Sequence, residues 1–172
     1  MPNDFFADYP LAYHITFTCY GTRLHGSEAG SVDRHHNMPY TPQLPHSPDR
    51  CRFERAEMTQ PPYKLDAPAR KLVMDAIIEV CAFRTWELLA AHVLEKHVHI
   101  VVQASAPPEK VMHDFKAYAS RKLNRTGLEK PDTKRWTRHG STRYKWTTEE
   151  VAEAVDYAVR RQGPMMEVYE RK

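Results

Sequence analysis

His97-Val98-His99-Ile100-Val101-Val102-Gln103 alternates along its length. In an extended chain, successive side chains point to opposite faces. Val98, Ile100 and Val102 therefore share one side, and His97, His99, Val101 and Gln103 share the other. The first set marks a central strand packed on a core. The second places two imidazoles on one sheet surface. Just upstream, Trp86–Val93 reads as another strand, and Leu94-Glu95-Lys96 as the short polar turn that makes the two a hairpin.

Working outward, residues 12–20 (Ala-Tyr-His-Ile-Thr-Phe-Thr-Cys-Tyr) alternate too. Tyr13, Ile15, Phe17 and Cys19 face one way, and His14, Thr16, Thr18 and Tyr20 the other. A helix is predicted near Asp66–Ala82, started by Asp66 and Pro68, with Leu72, Val73, Ala76, Ile77, Val80 and Cys81 along one face. Pro107-Pro108-Glu109 opens a second helix running to about Arg125, with Val111, Met112, Phe115, Ala119 and Leu123 on its apolar face. A strand is predicted near Arg143–Trp146. Thr147-Thr148-Glu149-Glu150 is a capping box for a last helix, whose stripe is Val151, Ala154, Val155, Ala158 and Val159 and which Gly163-Pro164 stops. Strand, helix, strand, strand, helix, strand, helix is the β-α-β-β-α-β order of an α+β ferredoxin-like sandwich plus a C-terminal helix. The expected antiparallel sheet has helices on one face and leaves the other free for chemistry.

The 172 residues suit a single domain, 1–172, with a long Pro-rich excursion at about 21–65 that holds six prolines. This excursion reads as a lid or substrate contact. No apolar run is long enough to span a bilayer, and the N-terminus lacks the pattern of a secretory signal. Three widely spaced cysteines form no C-x-x-C pair, which argues against a disulfide framework or zinc ribbon and fits a reducing cytoplasm. The net charge of +3 is unevenly placed. From Lys110 to Lys145 eleven basic residues face three acids, a net +8, which leaves −5 for the remainder. A concentrated basic third suits a polyanionic partner, nucleic acid above all.

His97 and His99 project from one strand face and can share a divalent cation. Arg and Lys in Lys116–Arg125 and Lys134–Trp146 alternate with Trp136, Tyr144 and Trp146. Cations neutralise phosphates and aromatic rings stack on unpaired bases, a mixture suited to single-stranded or hairpin DNA. Arg23, Lys116, Arg121, Lys122, Trp136, Arg138, Arg143 and Lys145 are the DNA-binding candidates. A tyrosine can attack a phosphodiester and keep one end as a covalent ester. Of nine tyrosines, two lie on the late helices. Tyr118 lies about 60° from the centre of its helix's apolar face, whereas Tyr157 lies more than about 90° from its own stripe. Position alone leaves both open.

These features resemble the Y1 HUH transposases of the IS200/IS605 group and the REP-associated tyrosine transposases. The resemblance covers most of the chain: Tyr13-His-Ile-Thr-Phe-Thr-Cys-Tyr-Gly-Thr-Arg23, His97-Val-His-Ile-Val-Val, the Phe115-Lys helix ending in Leu123-Asn, and the final helix with Tyr157. It implies Mg²⁺ or Mn²⁺ on His97 and His99, Tyr157 as the nucleophile forming a 5′-phosphotyrosine, and a homodimer. In that family a third ligand follows the tyrosine by one turn. Here that position is Arg161, which cannot ligate a cation. Gln162 is next and would reach the site if the last turn unwinds, and Glu153 is the other substitute. The expected function is a metal-dependent single-strand endonuclease and strand transferase. The alternative is a domesticated hairpin-binding protein of the same fold that does not cleave.

Overall fold

The computed structural model describes residues 9–24 and 45–172. Its elements are β1 (Ala12–Thr18), α1 (Pro48–Glu57), α2 (Ala67–Arg84), β2 (Glu87–Val93), β3 (His97–Gln103), α3 (Pro108–Asn124), β4 (Ser141–Lys145), α4 (Thr148–Arg160) and β5 (Glu167–Glu170). The sheet runs β4-β1-β3-β2-β5, with every neighbouring pair antiparallel. Its first four strands have the order expected of the ferredoxin-like sandwich. β5 extends the sheet past β2, and four residues after Gly163-Pro164 are too few to reveal a strand by alternation.

Local signals act as their chemistry requires. The Asp66 carboxylate accepts from the Ala69 N–H at the start of α2, and Pro68 sits in its first turn. Thr147 and Glu150 form the reciprocal capping box of α4. The β2–β3 turn also holds its neighbours: the Glu95 carbonyl accepts from Leu65 N–H at 2.8 Å, and the Lys96 carbonyl from Cys19 N–H at 2.7 Å.

Two cores flank the sheet. On one face Ile15, Phe17, Val98, Ile100 and Val102 pack against α2 and α3 through Ile77, Val80, Phe115 and Ala119. On the other, Ala12, Ala90 and Val101 seat Ala154, Ala158 and Val159 of α4. The two crossover helices thus share a face as expected. The second face is not wholly free, because small apolar residues at one end of it let α4 approach closely. A bulge between Leu88 and Ala90 shifts the β2 register and brings Ala90 and His92 to this second face.

Part of the 21–65 excursion lies outside the described residues. From residue 45 onward it is ordered structure: α1 is followed by a strap whose Tyr63 and Leu65 enter the main core at 8% and 0% exposure. Its low apolar content conceals this, because two side chains do the anchoring. Tyr63 Oη donates to Glu129 at 2.9 Å, and the buried Arg135 donates from Nε to the other Glu129 oxygen at 2.9 Å. This triad ties the strap to the basic loop that leads into β4. Gly140 lets that loop cross β1, since a Cβ there would lie 2.5 Å from the Thr16 carbonyl oxygen. Glu129→Ala leaves the Arg135 guanidinium buried and unpaired, and should lower stability by about 3 kcal/mol in urea titration. An unchanged midpoint would show that the triad does not hold the loop.

Candidate active site

The open part of the second face lies beside α4. β3 presents His97 and His99 there, β2 presents His92 opposite His99, and β1 presents His14 and Thr16, the latter also opposite His99. His99 is 5% exposed, and its Nδ1 lies 3.0 Å from Thr16 Oγ1 and 3.1 Å from His14 Nε2. Its other ring nitrogen, Nε2, is buried without a hydrogen-bond partner. The His97 and His99 rings meet edge to face at 5.1 Å.

α4 delivers the tyrosine. Tyr157 lies on the flank of the helix beside the Ala154/Ala158 stripe, about 60° round from Ala154, and its ring packs edge-on to His14 at 5.9 Å and to His99 at 5.8 Å. It stays 43% exposed, so the site is open to a large ligand. Tyr118 instead lies in the helical layer, against Phe83 and under the Arg121 guanidinium.

α4 ends at Arg160, and the backbone leaves helical geometry at Arg161. The Gln162 side chain folds back, its amide nitrogen donating to the Tyr157 carbonyl at 3.0 Å. It lies near His97 and His99 and favours their protonated forms, but stands outside hydrogen-bond geometry with His99 Nε2. The structure thus brings His97, His99, Gln162 and Tyr157 together within one chain. Arg161 pairs with Asp156 at 2.9 Å and with Glu153 at 4.0 Å, and its guanidinium lies 5.9 Å from the Tyr157 ring. Glu153 is thereby turned to an arginine and not to the histidines.

The DNA-binding candidates divide. Arg143 and Lys145 lie on the histidine face of β4, close enough to depress His14 protonation, and Arg23 acts likewise on His97. Arg138 is exposed in the loop before β4. Lys116 is committed elsewhere: it donates to the Thr137 and His139 carbonyls at 2.8 and 3.1 Å, and burial lowers its pKa to about 8. Trp136 donates to Ser120 Oγ at 2.9 Å and packs on Phe17. Arg121 and Lys122 sit on α3, with Lys122 paired to Glu79 at 2.7 Å. Tyr144 and Trp146 stack on each other at the sheet edge, each about half exposed.

Sequence reading did not single out His14 or His92. The signal for His14 was its place on the polar side of β1, which becomes informative once antiparallel pairing sets it diagonal to His99. His92 is fully buried. Its Nδ1 donates to the Ala158 carbonyl at 2.9 Å, and its Nε2 accepts from Met166 N–H at 3.1 Å. It clasps the end of α4 to the segment entering β5.

A family profile described as "Transposase IS200 like" matches residues 63–161. The chain belongs to that family of transposases. No curated protein matches it. Among solved structures it is similar to one described as a REP-associated tyrosine transposase bound to a REP hairpin, at 13% identity over 89% of this chain and 67% of that one, with a TM-score of 0.48. Among the described residues, no helix is long and apolar enough to cross a membrane.

Burial, then neighbouring cations or imidazoles, lowers the His14 pKa from 6.5 to about 4 and that of His99 to about 3. As pH falls, the unfolded chain takes up these protons first. Their stabilising contribution is complete above about pH 6.5 and is lost as pH falls through 4 and then 3. The urea midpoint should therefore decline from pH 7 to pH 4, and His14→Phe should flatten part of that decline.

Proposed function

We propose that the protein is a single-strand DNA nicking and joining transposase with Tyr157 as nucleophile, acting on single-stranded or hairpin DNA. The observation that carries this reading is the seating of the Tyr157 ring against His14 and His99 on an open face rimmed by Arg23, Arg143 and Lys145. Tyr157 Oη attacks a phosphodiester phosphorus and loses its proton. The bond to the 3′ oxygen breaks, that oxygen leaves with a proton as a free hydroxyl, and the 5′ phosphate remains on the tyrosine. A second 3′ hydroxyl reverses the step and joins a new strand without outside energy.

His97, His99 and Gln162 fit a divalent cation. The buried Nε2 of His99 has no other partner. Both histidines are kept neutral by burial, as ligation requires. Among the described residues no group of three His, Cys, Asp or Glu could hold a metal, so a cation here would need the Gln162 carboxamide oxygen as its third protein donor. Mg²⁺ or Mn²⁺ bound there would polarise the scissile phosphate. Arg143 and Lys145 bind backbone phosphates, and the exposed Tyr144–Trp146 pair offers a face on which an unpaired base stacks. A homodimer belongs to this reading, and sedimentation equilibrium checks it.

With stem-loop single-stranded DNA and Mn²⁺, a covalent adduct should form, persist in Tyr118→Phe and vanish in Tyr157→Phe. An adduct surviving in Tyr157→Phe would place the nucleophile elsewhere. Hairpin binding by the wild type with no adduct at all favours the non-cleaving alternative, to which Arg161 in the ligand position lends weight. Replacing both Arg143 and Lys145 by Ala should reduce the slope of log affinity against log salt by about 1.4 for a single strand. An unchanged slope would remove them from the interface.

A further inference from the structure

We propose that His14 and Thr16 are positioning residues that hold the proton of His99 on Nδ1, so that Nε2 presents a free lone pair toward His97 and Gln162. The inference rests on the cation-binding reading only for its purpose; the tautomer itself is a property of the metal-free protein.

A neutral imidazole has one proton and two nitrogens. His99 Nδ1 has two neighbours, Thr16 Oγ1 at 3.0 Å and His14 Nε2 at 3.1 Å. His99 Nε2 is buried and has none. A proton on Nε2 would be a buried donor that makes no hydrogen bond in this geometry, since the nearby Gln162 carboxamide does not engage it, and that is costly. Placed on Nδ1, the same proton is shared between the Thr16 hydroxyl oxygen and the His14 lone pair. Nε2 is then the bare nitrogen, the form that binds a cation. The arrangement propagates one step further. His14 must accept at Nε2, so its own proton resides on Nδ1.

The placement follows from the fold. Thr16 is the register partner of His99, and His14 is two residues along the same face of β1. His14 is 8% exposed and is wedged between His99 and the Tyr157 ring, so it has little freedom to turn away. Outer partners of this kind orient a ligating histidine and set its basicity.

The test uses the full, metal-free chain labelled with ¹⁵N. Long-range ¹H–¹⁵N spectra near pH 7.5 read the histidine tautomers directly. Wild-type His99 should be the Nδ1–H form. In His14→Phe combined with Thr16→Val the Nε2–H form should become populated, and Mn²⁺ affinity measured by calorimetry should fall about 10–100-fold. His14→Gln, which restores an acceptor, should recover most of both. If the double variant does not fold, Thr16→Val alone should still shift part of the population. An Nε2–H wild type, or variants that keep the Nδ1–H form, overturns the proposal. The expected tautomer in a wild type that binds no Mn²⁺ supports the positioning role and removes the cation reading instead.

Discussion

Strand β3 can carry a histidine pair because it is hydrogen-bonded on both edges, covered on one face and partly covered by α4 on the other. β1 and β2 pair with it along its length, so its backbone has no freedom to slide. Val98, Ile100 and Val102 are fully buried on the helical side, and Val101 is fully buried under α4. A one-residue slip would put both imidazoles into the hydrophobic core and three valine or isoleucine side chains on the open face. The alternation that makes the fold therefore also fixes where the imidazoles point.

The second constraint is the close docking of α4. Its contact residues are mainly Ala and Val, which bring the helix near the sheet, and His92 joins its last turn to the segment before β5. Both His92 nitrogens are used by backbone groups, so this clasp requires the neutral ring. With the end of α4 held there, the helix stops at Arg160 and the chain turns back toward the histidines. The early stop carries Gln162 to the site. On a continued helix, Gln162 would lie about 100° round from Arg161, away from it.

Much of this was legible in the sequence, and the rest was hidden for physical reasons. The periods of β1, β3, α2, α3 and α4 are long, and their caps carry recognisable chemistry. The strap around Tyr63 and Leu65 was not readable, because two anchoring residues in a Pro-rich stretch set up no period. β5 was too short. Among the candidate site residues, His97 and His99 stood out by strand spacing, whereas Tyr157 departed from its helical stripe but was chosen over Tyr118 only by the family resemblance. His14 and His92 did not, since each is a lone polar residue within an apolar strand and gains meaning only from what lies across the sheet. Charge counting also merged two groups. Arg143 and Lys145 face the histidines, whereas Lys116 and Lys122 are occupied by carbonyl and carboxylate partners on the helical layer.

That separation bears on how the proposed site could attract a phosphate without losing its lone pairs. Burial disfavours the charged forms of His14, His97 and His99, and the rim cations oppose protonation further, Arg143 and Lys145 at His14 and Arg23 at His97. Positive potential therefore comes from side chains that cannot ligate a cation, exposed at Arg23 and Arg143 and half-buried at Lys145, and the proposed ligating capacity comes from rings that carry no charge. If the imidazoles were exposed they would protonate under the pull of a bound polyanion, and the nitrogens would be lost as donors. Desolvation by α4 and the sheet prevents that. The helix that carries Tyr157 to the histidines thus also keeps their rings neutral, so displacing α4 would cost the site both its proposed nucleophile and its proposed ligands.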